Sequence, residues 1–427
     1  MMERSDELEL WGGMECTINR VHDLWFDQMK RSGHLGRLSD LALFRDLGLR
    51  KLRYGLHWER FRWAGTMEVF DGPMREMQRL GIEPIAGLVH HGSGPEGTSL
   101  LDPGFGDKLA EYALQLARRY PWIGSYTPVN EPQTTARFSG LYGHWYPHHK
   151  SFASYVRALL NQLRASVLAM RAIRSVRSDA LFVHTEDGGR TWSTPALAAL
   201  QATREQRRWL GLDLLCGRVD ASHQLYEFLQ EHGATEAEVL WFGENACPPD
   251  VIGLNYYVTS DRFLDDRVRG YPAGFAGGDT GEEPLVDIEA VRVRRKGIGG
   301  AGAMLTEAWE RYGIPVAITE AHLGGAVEEQ VRWLAEIWKE ARAVRLAGVD
   351  CVAVTVWALL GSYNWNTLVT TENGMYEPGV FDLGSGEPAP TGLWETVRRL
   401  AHGEPLDAAG GGWWTRQDRL TFEPADA

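Results

Sequence analysis

Two carboxylates in this chain stand where a fold could put them to chemical use. Ile314-Pro-Val-Ala-Ile-Thr-Glu320-Ala-His322-Leu-Gly-Gly is a short apolar run that ends in Glu320, with glycines just beyond. A run without polar alternation suits a strand buried on both faces of a parallel sheet. Trp122-Ile-Gly-Ser-Tyr-Thr-Pro-Val-Asn130-Glu131-Pro132 ends in the same way. Barrel enzymes keep their reacting groups at the C-terminal ends of strands. Two carboxyls brought together there can divide the work of nucleophile and proton donor. Taken singly, either could equally be an acidic residue opening a solvated loop. What favours chemistry is an architecture that unites the two strand ends.

Both runs belong to a repeating pattern. Residues 8–15, 49–58, 82–91, 122–131, 181–186, 250–257, 314–320 and 349–357 read as eight strands. Residues 40–47, 73–80, 107–120, 147–177, 303–312, 327–346 and 391–401 read as helices, and 204–230 as an irregular helical stretch. The cues are Asp40 in a first turn, Gly48 and Gly81 as stops, and Leu159, Leu160, Leu163, Val167 and Met170 at helical spacing. Strands alternating with helices make a single α/β (β/α)8 TIM barrel the expected fold, over residues 1–402. No GxGxxG follows the first strand, which argues against a dinucleotide-binding sheet. Residues 270–300, rich in glycine and charge, read as a long loop over the strand ends. Residues 403–427 read as either a linker or a packed tail.

Composition narrows the partners. The 427 residues are 44% hydrophobic, enough for one large core. A net charge of −13 argues against nucleic acid, and the one basic cluster, Val291-Arg-Val-Arg-Arg-Lys296, reads as a solvated strand or loop face. Cys16, Cys216, Cys247 and Cys351 show no CxxC or metal-ligand spacing, so they read as reduced, with no metal and no cofactor expected. The N-terminus lacks an apolar signal core, and no run of about 18 apolar residues exists. No membrane partner is therefore expected, and a cytoplasmic location is the default. The 17 tryptophans and 14 tyrosines are in excess. Core packing accounts for most of them. Tyr54, Trp58, Trp145, Tyr257, Trp357 and Trp365, near predicted strand ends, could pack against the apolar face of a sugar.

The strand ends resemble glycoside hydrolase family 1, the retaining β-glycosidases, over most of residues 8–400. Asn130-Glu131-Pro132 is similar to that family's acid/base motif, and Ile318-Thr319-Glu320 to its nucleophile motif. Leu52-Arg53-Tyr-Gly-Leu-His-Trp58-Glu-Arg60, Asp250-Val-Ile-Gly-Leu-Asn255-Tyr-Tyr257 and Trp357-Ala-Leu-Leu-Gly-Ser-Tyr-Asn364-Trp365 resemble its second-, sixth- and eighth-strand motifs. Thr371-Glu372-Asn373-Gly374 spells the nucleophile motif more literally, but it follows the eighth-strand motif and no buried strand leads into it.

The resemblance implies a retaining β-glycosidase acting on a small carbohydrate. Glu320 would be the nucleophile, held by Arg53 and the Tyr257 hydroxyl, and Glu131 the acid and base. Substrate contacts would fall to Glu15, His90, Asn130, Asn255, Trp357, Asn364 and Trp365, with Asn130 on the 2-hydroxyl. His91 and His322 read as packed histidines. Glu186 reads equally as a subsite residue or a structural ion-pair partner. The chain also departs from the family, with Glu15 where a glutamine is usual and Asn364 where a glutamate is usual. The expectation is weak action on simple aryl β-glucosides and preference for a narrower or modified sugar, unless Asn19 takes the place of Glu15. A carbohydrate-binding protein on an inactive scaffold and another barrel glycanase stay open. A metal-dependent hydrolase is disfavoured because His90 and His91 are adjacent and should point to opposite strand faces. The sugar, the linkage and the oligomeric state stay open.

The choice between Glu320 and Glu372 is directly testable. Glu320→Gly should nearly abolish turnover, with azide restoring part of it as an α-glycosyl azide, while Glu372→Gln keeps most activity. An inactive Glu372→Gln would overturn the assignment.

Overall fold

A computed structural model describes residues 7–272, 275, 285–406 and 410–424. Eight parallel strands close into a barrel: β1 (Glu9–Gly13), β2 (Lys51–Gly55), β3 (Glu83–His90), β4 (Ser125–Asn130), β5 (Leu181–Asp187), β6 (Val251–Asn255), β7 (Val316–Ala321) and β8 (Cys351–Val356). Each is flanked by its sequence neighbours, and β1 closes the ring against β8. Every residue of β4, β6 and β7 is buried, because helices cover one face and the barrel interior the other. The interior is packed, not open: Trp11, Ile85, Val183, Val251, Ala317 and Ala353 form one cluster inside it.

Eight helices ring the barrel: α1 (Asp40–Asp46), α2 (Asp71–Leu80), α3 (Phe105–Arg119), α4 (Phe152–Arg174), α5 (Ala198–Leu215), α6 (Ala301–Tyr312), α7 (Val327–Leu346) and α8 (Gly392–Ala401). The caps follow the sequence. Ser151 accepts from the Ser154 N–H at the start of α4, and Gly81 and Gly313 end α2 and α6 in left-handed conformation. The stretch expected as one irregular helix over 204–230 is instead α5, starting earlier, followed by separate short helices Tyr226–Glu231 and Glu236–Glu244. Gly217, at φ 67°, lies just past the end of α5.

The expected loop over 270–300 needs correction in its described part. Val286–Glu289 is a strand, antiparallel to Arg262–Asp265, which in turn pairs with Thr191–Ser193. The alternation of buried Val286 and Ile288 with Asp287 and Glu289 drives it. The basic cluster is not simply solvated either, since Val291 and Val293 are buried and Arg294 stacks on the Trp192 ring at 4.0 Å. Residues 273, 274 and 276–284 lie outside the described part.

The register carries the site. Glu320 stands level with Asn255, His90 with Asn130, Asn130 with Thr185, and Gly13 with Arg53. Of the C-terminal stretch, residues 410–424 are described, and they hold a packed element. Trp414 is 2% exposed, meets the Trp333 ring of α7 edge-on at 5.0 Å, and donates its indole N–H to Glu336 at 3.0 Å. Trp414→Ala should therefore lower stability by about 3 kcal/mol through the cavity it leaves. Chemical denaturation would check this, and a loss under about 1 kcal/mol would mean the tail packs only loosely.

Candidate active site

The C-terminal strand ends converge on Glu320, the penultimate residue of β7 and 3% exposed. Its Oε1 accepts from Arg53 Nη1 at 2.9 Å and its Oε2 from the Tyr257 hydroxyl at 2.5 Å. Arg53, on β2, makes two further bonds. Nη1 also donates to the Thr319 carbonyl at 2.7 Å, and Nη2 donates to Asn130 Oδ1 at 2.7 Å. Its guanidinium lies 5.0 Å from the Trp357 ring, and His90 stacks on Trp357 at 5.7 Å. Gly13 makes room for this layer, because a Cβ there would collide with the Trp357 ring.

Glu131 is held differently. It follows β4 in left-handed conformation, φ 45°, and Pro132 then opens the short helix Pro132–Ala136. This uncommon geometry turns the carboxyl away from the strand direction. Its Oε1 accepts from Asn255 Nδ2 at 2.6 Å, and Asn255 Oδ1 accepts from Thr319 Oγ1 at 2.7 Å. One amide thus ties the two carboxyl-bearing strands together.

The electrostatics separate the pair. Burial raises the pKa of Glu131 well above the carboxylate range, and the charges of Glu320, Asp187 and Glu186 raise it further, against the Asn255 hydrogen bond. Burial also raises Glu320, but Arg53 and the Tyr257 hydroxyl oppose that shift. Burial lowers both neighbouring histidines, His91 to about 3, so they are neutral near pH 7. Both carboxyls are therefore shifted upward by burial, but a cation opposes the shift at Glu320 while neighbouring negative charge adds to it at Glu131.

Most residues expected at the site lie at or just beyond the strand ends, Asn364 and Trp365 lie in a later turn after β8, and not all are free for a ligand. Asn130 Oδ1 already accepts from Arg53 and from Thr185 Oγ1 at 2.7 Å, and its Nδ2 meets His90 Nε2 at 3.1 Å. His90 Nδ1 faces Cys16 Sγ at 3.4 Å, so both ring nitrogens have protein partners. Asn364, at φ 60°, accepts from the Gly374 N–H at 3.0 Å and closes a turn. Glu15 Oε2 accepts from the Trp365 indole at 2.9 Å.

Three outcomes differ from the sequence-based expectations or went unforeseen. His91 does not point to the opposite face from His90. Its φ of 58° ends the strand, and the ring comes to 3.9 Å from Glu131 Oε2 while bonding Thr135 Oγ1 at 3.1 Å. Glu186 resolves to capping: it accepts from the Gln133 N–H at 2.9 Å, and burial raises its pKa to about 7. Thr185 and Thr319, which brace Asn130 and Asn255, carry no signal that spacing alone could reveal. Glu372 is exposed and pairs with Arg31, in a turn outside this cluster. Among the described residues no His, Cys, Asp or Glu group is arranged to hold a metal ion, and no helix is long and apolar enough to cross a membrane.

No protein-family profile matches the chain. A 6-phospho-β-glucosidase of Dickeya chrysanthemi is 23% identical over 254 residues, covering 54% of this chain and 54% of that protein. The chain thus matches about half the length of that relative. Among solved structures it is similar to a family 1 β-glucosidase of Thermotoga maritima, with TM-score 0.72, 18% identity and 88% of each chain covered. The Thermotoga maritima β-glucosidase in complex with deoxynojirimycin gives TM-score 0.71 and 19% identity, again over 88% of each chain. At this identity the likeness establishes the (β/α)8 fold.

Arg53 is the cation that opposes the burial of Glu320, so Arg53→Met should raise the Glu320 pKa. Carboxyl titration of ¹³C-glutamate-labelled protein by NMR would read this. An unmoved Glu320 titration would show that the guanidinium charge does not set its state.

Proposed function

We propose that the chain is a retaining β-glycosidase, with Glu320 as nucleophile and Glu131 as acid and base. One observation carries the reading: two buried carboxyls at the ends of β4 and β7 sit in opposite environments, one against a guanidinium and one against a neutral amide and its partner's charge. Retention with two carboxyls about 5–5.5 Å apart uses this division of labour.

In the first step a Glu320 oxygen attacks the anomeric carbon as the bond to the aglycone oxygen breaks, and Glu131 gives that oxygen its proton. Arg53 and Tyr257 keep Glu320 ionised and aimed. Once the glycosyl ester forms, the negative charge on Glu320 is gone. The repulsion that raised the Glu131 pKa falls away with it, and Glu131 can take a proton from the incoming water. Water attack at the same carbon then restores Glu320. The rate should fall on the acid side as Glu320 is protonated and on the alkaline side as Glu131 loses its proton. Asn255 lowers the Glu131 pKa, so Asn255→Ala would carry the alkaline limb upward. The name of the Dickeya relative includes a 6-phosphate. Arg53 itself is bound to Glu320 and Asn130 and so is not placed to receive such a phosphate.

A panel of nitrophenyl glycosides and natural β-disaccharides, with proton NMR of the first-formed anomer, tests the reading. The β anomer should appear first, and an α product would overturn retention. Glu131→Gln should cost roughly 10²–10⁴-fold on natural glycosides but far less on substrates with very good leaving groups, which need little protonation. Equal losses on both would remove Glu131 from the acid role.

A further inference from the structure

Glu15 presents a feature that the two-carboxylate chemistry does not use. It lies two residues beyond β1, is 6% exposed, and its oxygens accept from two neutral N–H groups. The Thr17 backbone meets Oε1 at 2.9 Å and the Trp365 indole meets Oε2 at 2.9 Å. Each oxygen thus receives one neutral N–H. Among the described residues no lysine, arginine or histidine pairs with it. Buried acids among the described residues fall into two groups: Glu59, Glu186 and Asp261 also lack a cation, whereas three others have one. Asp40, Asp213 and Asp265 meet Arg37, Arg311 and Arg267 at 3.3, 2.6 and 2.8 Å. A buried carboxylate without a cation is unfavourable unless something else brings the charge.

A second acceptor, four residues on, has no donor among the described residues. Asn19 is fully buried and its Oδ1 has no hydrogen-bond partner, while its Nδ2 donates to the Val369 carbonyl at 3.2 Å. Glu15 and Asn19 flank the same turn, since Trp365 bonds Glu15, and Val369 both receives from Asn19 and donates to the Asn364 carbonyl at 3.0 Å. The half-buried Trp365 ring adds an aromatic face beside them. A sugar hydroxyl has one hydrogen to give and asks for donors in return. An ammonium has three hydrogens, accepts nothing and carries the missing charge.

Resting on the glycosidase reading, we propose that the glycone is an amino sugar whose ammonium group docks on Glu15, with Asn19 Oδ1 as a second acceptor. Glu15 is then a specificity residue, and the narrow substrate is defined by charge and not by ring stereochemistry alone.

Binding by the full chain is the decisive measurement. Titration calorimetry would compare glucose and galactose with their monoamino derivatives, the amine replacing the hydroxyl at C2, C3, C4 or C6, at a pH where the amine is protonated. At least one amino sugar should bind about tenfold or more tighter than its parent. If none does, the proposal is overturned. This arm needs no turnover, so it still decides if no glycoside is hydrolysed, a result that would count against the glycosidase reading instead. Glu15→Gln, close in shape and uncharged, should reduce the preference by about tenfold. A preference that survives the substitution would overturn Glu15 as its source. If that variant does not fold, the wild-type binding ratio decides by itself.

Discussion

The buried ion pair between Arg53 and Glu320 is the interaction on which the rest of the strand-end architecture depends. Arg53 belongs to β2 and Glu320 to β7, so the guanidinium passes across the ends of β1 and β8 to reach its partner. Removing either partner of a buried pair leaves an uncompensated charge, at a cost of about 3–5 kcal/mol. The path exists only because the intervening strand ends are shaped for it. Gly13, at the end of β1, has no side chain and admits the Trp357 ring that follows β8, and that ring lies against the guanidinium. Closure of the barrel, the glycine and the tryptophan are therefore requirements of one charge pair and not independent features.

From this pair the polarity of the site spreads outward. Arg53 spends its second nitrogen on Asn130, and Asn130 is braced by Thr185. Thr319 orients Asn255, which holds Glu131. The amides and threonines fill positions where a charged group would disturb the balance between the two carboxyls. A lysine in place of Asn255, for example, would pull Glu131 toward ionisation and remove the difference between the pair. The neutral histidines serve the same end, since protonated rings beside Glu131 would lower its pKa. Burial keeps His91 neutral, and its ring is fixed by Thr135.

The barrel and the carboxyl pair were legible in the sequence because parallel strands covered on both faces leave unbroken apolar runs, and strand ends follow directly from where those runs stop. The strand ends mark the positions of Glu320 and Glu131, while their pairing needed the barrel and the family resemblance. Other features depend on tertiary geometry that no local pattern encodes. His91 escapes the alternation rule because its backbone leaves the strand at a positive φ. Val286–Glu289 is only four residues long, and its partner strands lie far off in sequence, so glycine and charge around it dominate the local signal. The burial of Trp414 depends on a groove on α7 that only the folded helix supplies. Glu186 acquires its structural role from the Gln133 N–H of the short helix after β4, a contact between residues 53 apart in sequence.

The wall formed by Glu15, Asn364 and Trp365 carries the same reasoning one step further. Asn364 tolerates its left-handed backbone better than a longer acidic residue would, and its side-chain oxygen is used by the Gly374 N–H. A glutamate at this position would be asked both to accept that local bond and to face the site, in a conformation that favours asparagine. With residue 364 committed to the turn, the acidic character of the wall comes from the opposite side, where Glu15 reaches the Trp365 indole from the end of β1. The carboxylate is thereby separated from the turn that shapes the wall. If Glu15 contacts the glycone as proposed, a change at residue 15 alters recognition directly, whereas a change at residue 364 must first reckon with the fold of the turn itself.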